Sequence, residues 1–353
     1  MILKAPTQVF WWITNRCNLR CIFCLAEAGP YPDPAELSNR QKEFILREII
    51  SNRVLKVYLT GGEPLLFPSI YDYIAELTKN GVFVELTTNG TLIDREVARR
   101  LQRAGVNRVQ FSLNGSTPKL NDSLMGRSYH RIMEGLGNIQ EEGIDIHFKV
   151  TVVQQNIADV SHIVEKLVRR GAKKIELSEA IPLGRAFHRW EELKPRLEDL
   201  LELRKLVKDY RMEEELELSF VSLSVQMYDD KYPSVCTVGA DNSYYCLIQP
   251  NGDVAPCTPS IVWKYSNNIM EKGLKGCWED LSTFRKFVDP SKLKGECGRC
   301  ELKYQCRGGC RALAYRFTGE LFGENPLCRY PLFKGKGRED DQITEKIVEE
   351  AGA

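Results

Sequence analysis

Six short runs of β-branched and aromatic residues, alternating with helical patterns, constrain the fold of this chain more than any other feature. The runs are 8–14 (QVFWWIT), 54–60 (VLKVYLT), 82–88 (VFVELTT), 108–114 (RVQFSLN), 145–153 (DIHFKVTVV) and 174–180 (KIELSEA). Between them, helical periodicity marks 40–50, 69–80, 94–104 and 160–170. Ser38 with Gln41 three residues on reads as a capping box that opens the first helix. Gly81, Gly105, Gly143 and Gly171 each stand where a helix must stop before the next strand, the C′ position where glycine is favoured. Strands alternating with helices imply right-handed crossovers and a parallel sheet. Six units are too few to close an eight-stranded barrel, so the pattern predicts an α/β fold built as an open, partial (β/α)6 barrel. Its chemistry is then expected at the C-terminal ends of the strands.

Directly after the first run comes CNLRCIFC, with thiols at Cys17, Cys21 and Cys24 in C-x3-C-x2-C spacing. Iron–sulfur clusters are ordinarily held by four cysteines, and closed zinc sites by four ligands. Three thiolates on a [4Fe-4S] cluster leave one iron open, which is what catalysis needs. The plainer readings are a fragment of a zinc site or three unrelated core thiols.

Composition narrows the class. Of 353 residues, 49 are basic and 48 acidic, a net charge of +1, so no electrostatic footprint for nucleic acid or an anionic membrane is present. No apolar run approaches the ~18 residues of a membrane span, and the first residues lack a secretory h-region. A cytoplasmic location is expected, where twelve cysteines argue for metal rather than disulfides. Three cysteines lie near the start and nine between Cys236 and Cys328, with more than 200 residues free of thiols between the groups.

The Cys17/Cys21/Cys24 spacing resembles the signature of the radical S-adenosylmethionine (radical SAM) superfamily. That resemblance implies that the open iron chelates S-adenosylmethionine and that reductive cleavage yields a 5′-deoxyadenosyl radical. The radical would then remove a substrate hydrogen. Cysteines 17, 21 and 24 are then both metal ligands and the catalytic set, with Phe23 near the adenine. Gly61-Gly62-Glu63-Pro64, after the second run, is similar to the family motif that holds the methionine amino group. Taken alone, GGEP is a turn with a solvated glutamate. In the bottom-up reading, its two glycines let a ligand approach bare backbone. Thr88 and Asn89 after the third run, and Ser112 and Asn114 after the fourth, occupy strand ends that line the cofactor site in relatives. The family more often has Asp where Asn114 stands. Arg127 falls where related proteins carry an Arg near the cofactor carboxylate, at a shorter local spacing here.

The later cysteines follow a second order. Cys236 precedes Gly252 by 16 residues and Cys257 follows it by five positions; then come Cys297-x2-Cys300-x5-Cys306-x3-Cys310, and finally Cys328. Zinc ribbons are the alternative for such CxxC pairs. The seven-cysteine order resembles the SPASM extension of a subset of radical SAM enzymes, which binds two auxiliary [4Fe-4S] clusters. With Cys246 as an eighth thiol, the resemblance implies Cys236, Cys246, Cys257 and Cys310 on the nearer cluster. Cys297, Cys300, Cys306 and Cys328 would hold the outer one. Cys277 is left over as a buried free thiol, and no role falls to His130, His147, His162 or His188.

The expected organisation is a radical SAM partial, TIM-like barrel at 1–190, a helical connector at 191–230, a cysteine-rich SPASM domain at 231–335 and a tail at 336–353. Three [4Fe-4S] clusters and S-adenosylmethionine are the expected cofactors. Saturated auxiliary clusters point to electron transfer and so to net oxidation. Within the SPASM group the chain resembles peptide maturases of the mycofactocin and pyrroloquinoline-quinone type, through 246–257 (CLIQPNGDVAPC) and 306–319 (CRGGCRALAYRFTG). The expected substrate is a ribosomal peptide or small protein, modified by decarboxylation or crosslinking. Only 16 residues precede Cys17, so a separate leader-binding protein is expected, with a reducing partner such as ferredoxin or flavodoxin and no nucleic-acid or membrane partner. The alternatives are oxidative decarboxylation of tetrapyrrole side chains and, outside catalysis, an iron–sulfur electron carrier or sensor.

Overall fold

The structure, a computed structural model, describes residues 3–31, 33–210, 216–224, 244–263, 267–281 and 289–328. All six expected runs form strands: β1 Gln8–Thr14, β2 Lys56–Gly61, β3 Phe83–Thr88, β4 Arg108–Ser112, β5 Asp145–Val152 and β6 Lys174–Glu179. Three further strands join the same sheet: β7 Glu217–Val221, β8 Tyr245–Ile248 and the short β9 Val254–Ala255. The order is β7-β6-β5-β4-β3-β2-β1-β8-β9. Every pairing is parallel except β8 with β9.

The connecting helices are α1 Asn39–Ser51, α2 Ile70–Lys79, α3 Arg95–Ala104, α4 Pro118–Met125, α5 Tyr129–Glu141 and α6 Val160–Arg169. Their ends follow the local chemistry. Gln41 Oε1 accepts from the Ser38 backbone N–H at 3.0 Å, closing the box ahead of α1. Asp94 Oδ1 accepts from Val97 N–H at 2.8 Å at the start of α3. Gly81, Gly105, Gly143 and Gly171 all take the left-handed conformation expected after a helix.

Alternation along the strands sorts the sheet into two faces. Val9, Trp11, Val57, Leu59, Val84, Leu86, Val109, Phe111, Phe148, Val150, Ile175 and Leu177 are buried and join the core shared with the helices. The other face is polar and partly open. Register places Phe10, Tyr58, Glu85, Arg108 and Asp145 in one row across it. Ser112, Lys149, Glu176 and Ser219 form another row nearer the strand ends. Phe10 and Tyr58 stack at 4.1 Å, whereas β4–β6 present an ion pair, Lys149–Glu176 at 2.6 Å. Deeper down, Glu85 is nearly enclosed. Burial pushes its carboxyl up, but the His147 and Lys56 contacts outweigh that and hold it at about 2. This inner face therefore differs from the apolar filling of a closed eight-stranded barrel.

The sheet continues past the boundaries expected near residues 190 and 231. After α7 Arg185–His188, part of the connector is helical, as α8 Trp190–Leu193 and α9 Leu197–Tyr210, but its later half supplies β7. The alternation Leu216, Leu218, Phe220 carries that strand, and a preceding charge-rich helix obscures it in the sequence. The cysteine-rich segment supplies β8, which pairs with β1 in register Val9↔Cys246. Beyond it come α10 Ile269–Leu281, interrupted at Gly273, then α11 Gly295–Arg299, α12 Lys303–Cys306 and α13 Arg311–Thr318. Arg311 is almost fully buried. Its guanidinium donates to Leu321 O at 3.1 Å and Gly323 O at 2.7 Å, and also to Gly308 O. A charged hub collecting backbone carbonyls thus stands in this segment together with the small apolar cluster of Leu183, Leu313 and Leu327. Among the described residues no helix is long and apolar enough to cross a membrane.

Candidate active site

The loop after β1 is pinned at both ends before any ligand is considered. Cys17 N–H donates to Gly29 O at 2.6 Å, and Ile22 N–H to Leu124 O at 2.9 Å. Cys17 is buried, while Cys21 and Cys24 are half-buried. Burial pushes the Cys17 thiol up to about 11, and the Glu63 and Cys24 charges push the same way. Burial pushes Cys21 up to about 12, helped by the charges of Cys24 and Cys17 and opposed by Arg185. The three thiols share one short loop and lie close enough for their charges to interact. The Leu19 N–H lies 3.4 Å from Cys17 Sγ and Asn89 Nδ2 lies 3.8 Å from it. Clustered thiols with N–H groups aimed at sulfur suit an iron–sulfur cluster, whose properties depend on such hydrogen bonds.

The two glycines of GGEP act otherwise than the bare-backbone reading expects. A Cβ on Gly61 would lie 2.3 Å from Thr14 O, and one on Gly62 would lie 2.2 Å from Arg16 O. What approaches them is the chain itself, in the residues that lead into Cys17. Gly62 N–H and Glu63 N–H then donate to Thr14 O and Arg16 O, both at 2.8 Å. Pro64 is buried in the short 3-10 turn Pro64–Leu66.

Glu63 is fully buried and already engaged. Its carboxylate accepts from Thr88 Oγ1 at 2.8 Å, Asn89 N–H at 2.8 Å and Leu65 N–H at 3.1 Å. It braces the end of β3 against the end of β2. Burial pushes its carboxyl from the ordinary 4.5 to about 7, against those three hydrogen bonds. The folded state therefore holds this proton more tightly than the unfolded chain. The stability it adds is complete below pH 4.5 and is lost as the pH rises through 7. Glu63→Gln should flatten that dependence in thermal melts across pH 5–8. It should also cost about 1–3 kcal/mol, because the amide NH2 must face one of the donors.

The remaining strand-end residues divide. Thr88 and Asn89 sit beside the cysteine loop: Asn89 Nδ2 donates to Asn18 Oδ1 at 2.9 Å, and Asn18 Nδ2 to Thr91 Oγ1 at 2.8 Å. Ser112 stands half-buried on the inner face, level with Lys149. Phe23 packs half-buried against the main core. Asn114 differs from the expectation of a ribose contact. It is buried, its Oδ1 accepts from Thr151 N–H at 2.6 Å, and its Nδ2 points to Met125 sulfur at 3.0 Å. Arg127 lies exposed between α4 and α5. The sequence reading passed over Asn18, Thr91 and Arg185. Asn18 adjoins Cys17, but nothing in the chain's spacing shows that it meets a strand end 71 residues away.

In the second group, burial pushes Cys306 up to about 11, against the N–H groups of Gly308 and Gly309; the charges of Cys328 and Cys297 add to the rise. Three thiols expected on the outer set therefore lie near enough for their charges to interact. Cys300 closes α11. Cys257 caps the 3-10 turn Thr258–Val262 and Cys310 caps α13, and those two elements lie against each other. Cys236 is outside the described residues. Cys246 belongs to the core beneath the sheet. It is fully buried on the helix-covered face of β8 with Ile248, and the thiol whose charge it feels is Cys277, also fully buried.

Comparison with known proteins agrees with this geometry. A family model described as the radical SAM superfamily matches residues 12–167. The mycofactocin maturase MftC of Mycobacterium ulcerans is 32% identical over 340 residues, 92% of this chain and 88% of that protein. The AdoMet-dependent heme synthase of Methanosarcina barkeri is 28% identical over 344 residues, 93% of this chain and 97% of that one. Among solved structures, Streptococcus suis SuiB superposes with a TM-score of 0.74 at 22% identity, covering 93% of this chain and 78% of that chain, a likeness of fold. With its cysteine loop, its parallel sheet and a relative above 30% identity along most of its length, this chain belongs to the radical SAM superfamily, whose enzymes use a [4Fe-4S] cluster and S-adenosylmethionine.

Proposed function

We propose that this chain is a maturase that oxidatively modifies a ribosomal peptide or small protein. The observation that carries the reading is its 32% identity, along 92% of the chain, to a mycofactocin maturase. Cys17, Cys21 and Cys24 would hold the cluster. Phe23, Gly61–Pro64, Thr88, Asn89, Ser112 and Arg127 would border S-adenosylmethionine. When bound, that pair supplies a one-electron route to hydrogen abstraction from an unactivated carbon. The residues here do the rest: Glu63 and Asn89 keep the strand ends in place, and the polar row at Ser112, Lys149 and Glu176 orients the substrate. The aromatic Phe10–Tyr58 wall opposite gives the inner face an amphipathic character suited to a peptide side chain. A separate leader-binding protein and a ferredoxin or flavodoxin complete the proposed system.

Anaerobic turnover tests this against the tetrapyrrole alternative. Reduced protein with S-adenosylmethionine should form 5′-deoxyadenosine together with a mass loss from a candidate precursor peptide. Mass loss from a carboxylated tetrapyrrole alone would move the substrate to the second reading, which the Methanosarcina barkeri relative favours. No 5′-deoxyadenosine from fully loaded protein would leave an electron carrier.

Two auxiliary clusters are part of the same proposal, with Cys236, Cys257 and Cys310 serving the nearer and Cys297, Cys300, Cys306 and Cys328 the outer. Cys246, enclosed beside Cys277, is a core thiol in this reading. Iron analysis separates these roles. Cys306→Ala should lose about four irons per chain, one cubane, whereas Cys246→Ala should keep the wild-type count.

A further inference from the structure

The segment after β6 closes over the cysteine loop from the far side of the sheet. Pro182 and Leu183 are buried, and Leu183 packs beside Leu25. Gly184 adopts φ +56, and a Cβ there would lie 2.4 Å from Leu25 O and 2.5 Å from Cys24 O. Arg185 then contacts three points of the loop. Its N–H donates to Cys24 O at 3.0 Å, its Nε to Cys21 O at 2.8 Å and its Nη1 to Ala28 O at 2.9 Å. Its side chain is half-buried, so solvent screens the charge incompletely.

We propose that Arg185 is a positioning residue for the cluster-binding loop and that its charge raises the reduction potential of the cluster held there. The inference rests on Cys17, Cys21 and Cys24 being the ligands. One electron from an external donor adds a negative charge to the cluster, and a fixed guanidinium on the ligand backbone stabilises that reduced form. The two side-chain hydrogen bonds keep the loop from opening when the electron arrives. A lysine can supply the charge but not the planar two-carbonyl reach.

The test uses full-length, anaerobically reconstituted protein. Iron and sulfide are counted, and a redox titration follows the electron paramagnetic resonance signal that changes on adding S-adenosylmethionine. That response marks the open-iron cluster apart from any auxiliary one. Arg185→Gln should keep its iron yet show about a tenfold smaller reduced-to-oxidised ratio at a fixed potential, equal to about 59 mV for one electron. Arg185→Lys should hold the wild-type midpoint but release iron to a chelator several-fold faster. Arg189→Gln, which removes an exposed charge paired with Glu192, should change neither. An unshifted midpoint in Arg185→Gln overturns the electrostatic role, and unchanged iron release in Arg185→Lys overturns the positioning role. Should the Gln variant fail to hold iron, the Lys variant decides: a wild-type midpoint with faster release supports the proposal, and a shifted midpoint refutes it. A wild-type protein with no S-adenosylmethionine-responsive signal would instead refute the ligand assignment beneath it.

Discussion

Replacing Cys24 by alanine should bring 5′-deoxyadenosine formation down to the level of a protein-free control and remove about four irons per chain, one cubane. The size of the effect follows from the ligand count. In the proposed site three thiols would hold the cluster while leaving one iron open; with two, a second iron would lose its anchor. The buried carboxylate that Cys17 senses, Glu63, is already engaged by Thr88, Asn89 and Leu65. The fold itself should survive, because Cys24 is half-buried at the edge of the core and its loop is held by Cys17, Ile22 and Arg185. Circular dichroism should therefore match the wild type while iron and product fall together. Retained product formation in this variant would remove the case for the N-terminal site.

Gly62→Ala should have the second-largest effect, though it deletes nothing. The new methyl would sit 2.2 Å from Arg16 O and 2.7 Å from Arg16 C, both backbone atoms that no rotamer change can move. The ends of β1 and β2 must separate, which strains the Gly62–Thr14 and Glu63–Arg16 hydrogen bonds. Overpacking typically costs about 1–3 kcal/mol, and a backbone clash belongs at the upper end. For a chain of this size the melting point should fall by about 4 °C. The loop that begins at Arg16 should lose its cluster first, so iron loading should fall more steeply than helicity. Gly137→Ala is the matched control. It lies within α5, and nothing stands within 4 Å of its new Cβ. Its melting point should hold or rise, as helix propensity predicts. Equal melting points for the two variants would show that the Gly61–Gly62 seam carries no strain.

Much of this architecture was legible in the chain. Strand runs such as 8–14 and 174–180, the Ser38–Gln41 box and the glycines after α2, α3, α5 and α6 are local signals, and the structure reproduces them within a residue or two. Strand β7 was hidden because Leu218 and Phe220 alternate immediately after a charge-rich helical pattern. Strand β8 falls partly within the stretch 246–257 that carries the family resemblance, but its place beside β1 was not legible, since a parallel neighbour across more than 200 residues leaves no periodic trace.

The candidate site shows the same division. Cysteine spacing alone placed Cys17, Cys21 and Cys24 in one loop, because residues of one loop are close along the chain. Whether Glu63, Asn114 or Cys246 is free to meet a ligand depended on groups 25, 37 and 31 positions away: Thr88, Thr151 and Cys277. Arg185 reaches the loop across 164 residues. Local order is set by neighbours a turn or a strand apart, so residue types and intervals suffice to specify it. Hydrogen-bond partners and buried neighbours are chosen only when distant strands come into register, and the tertiary structure alone made those choices.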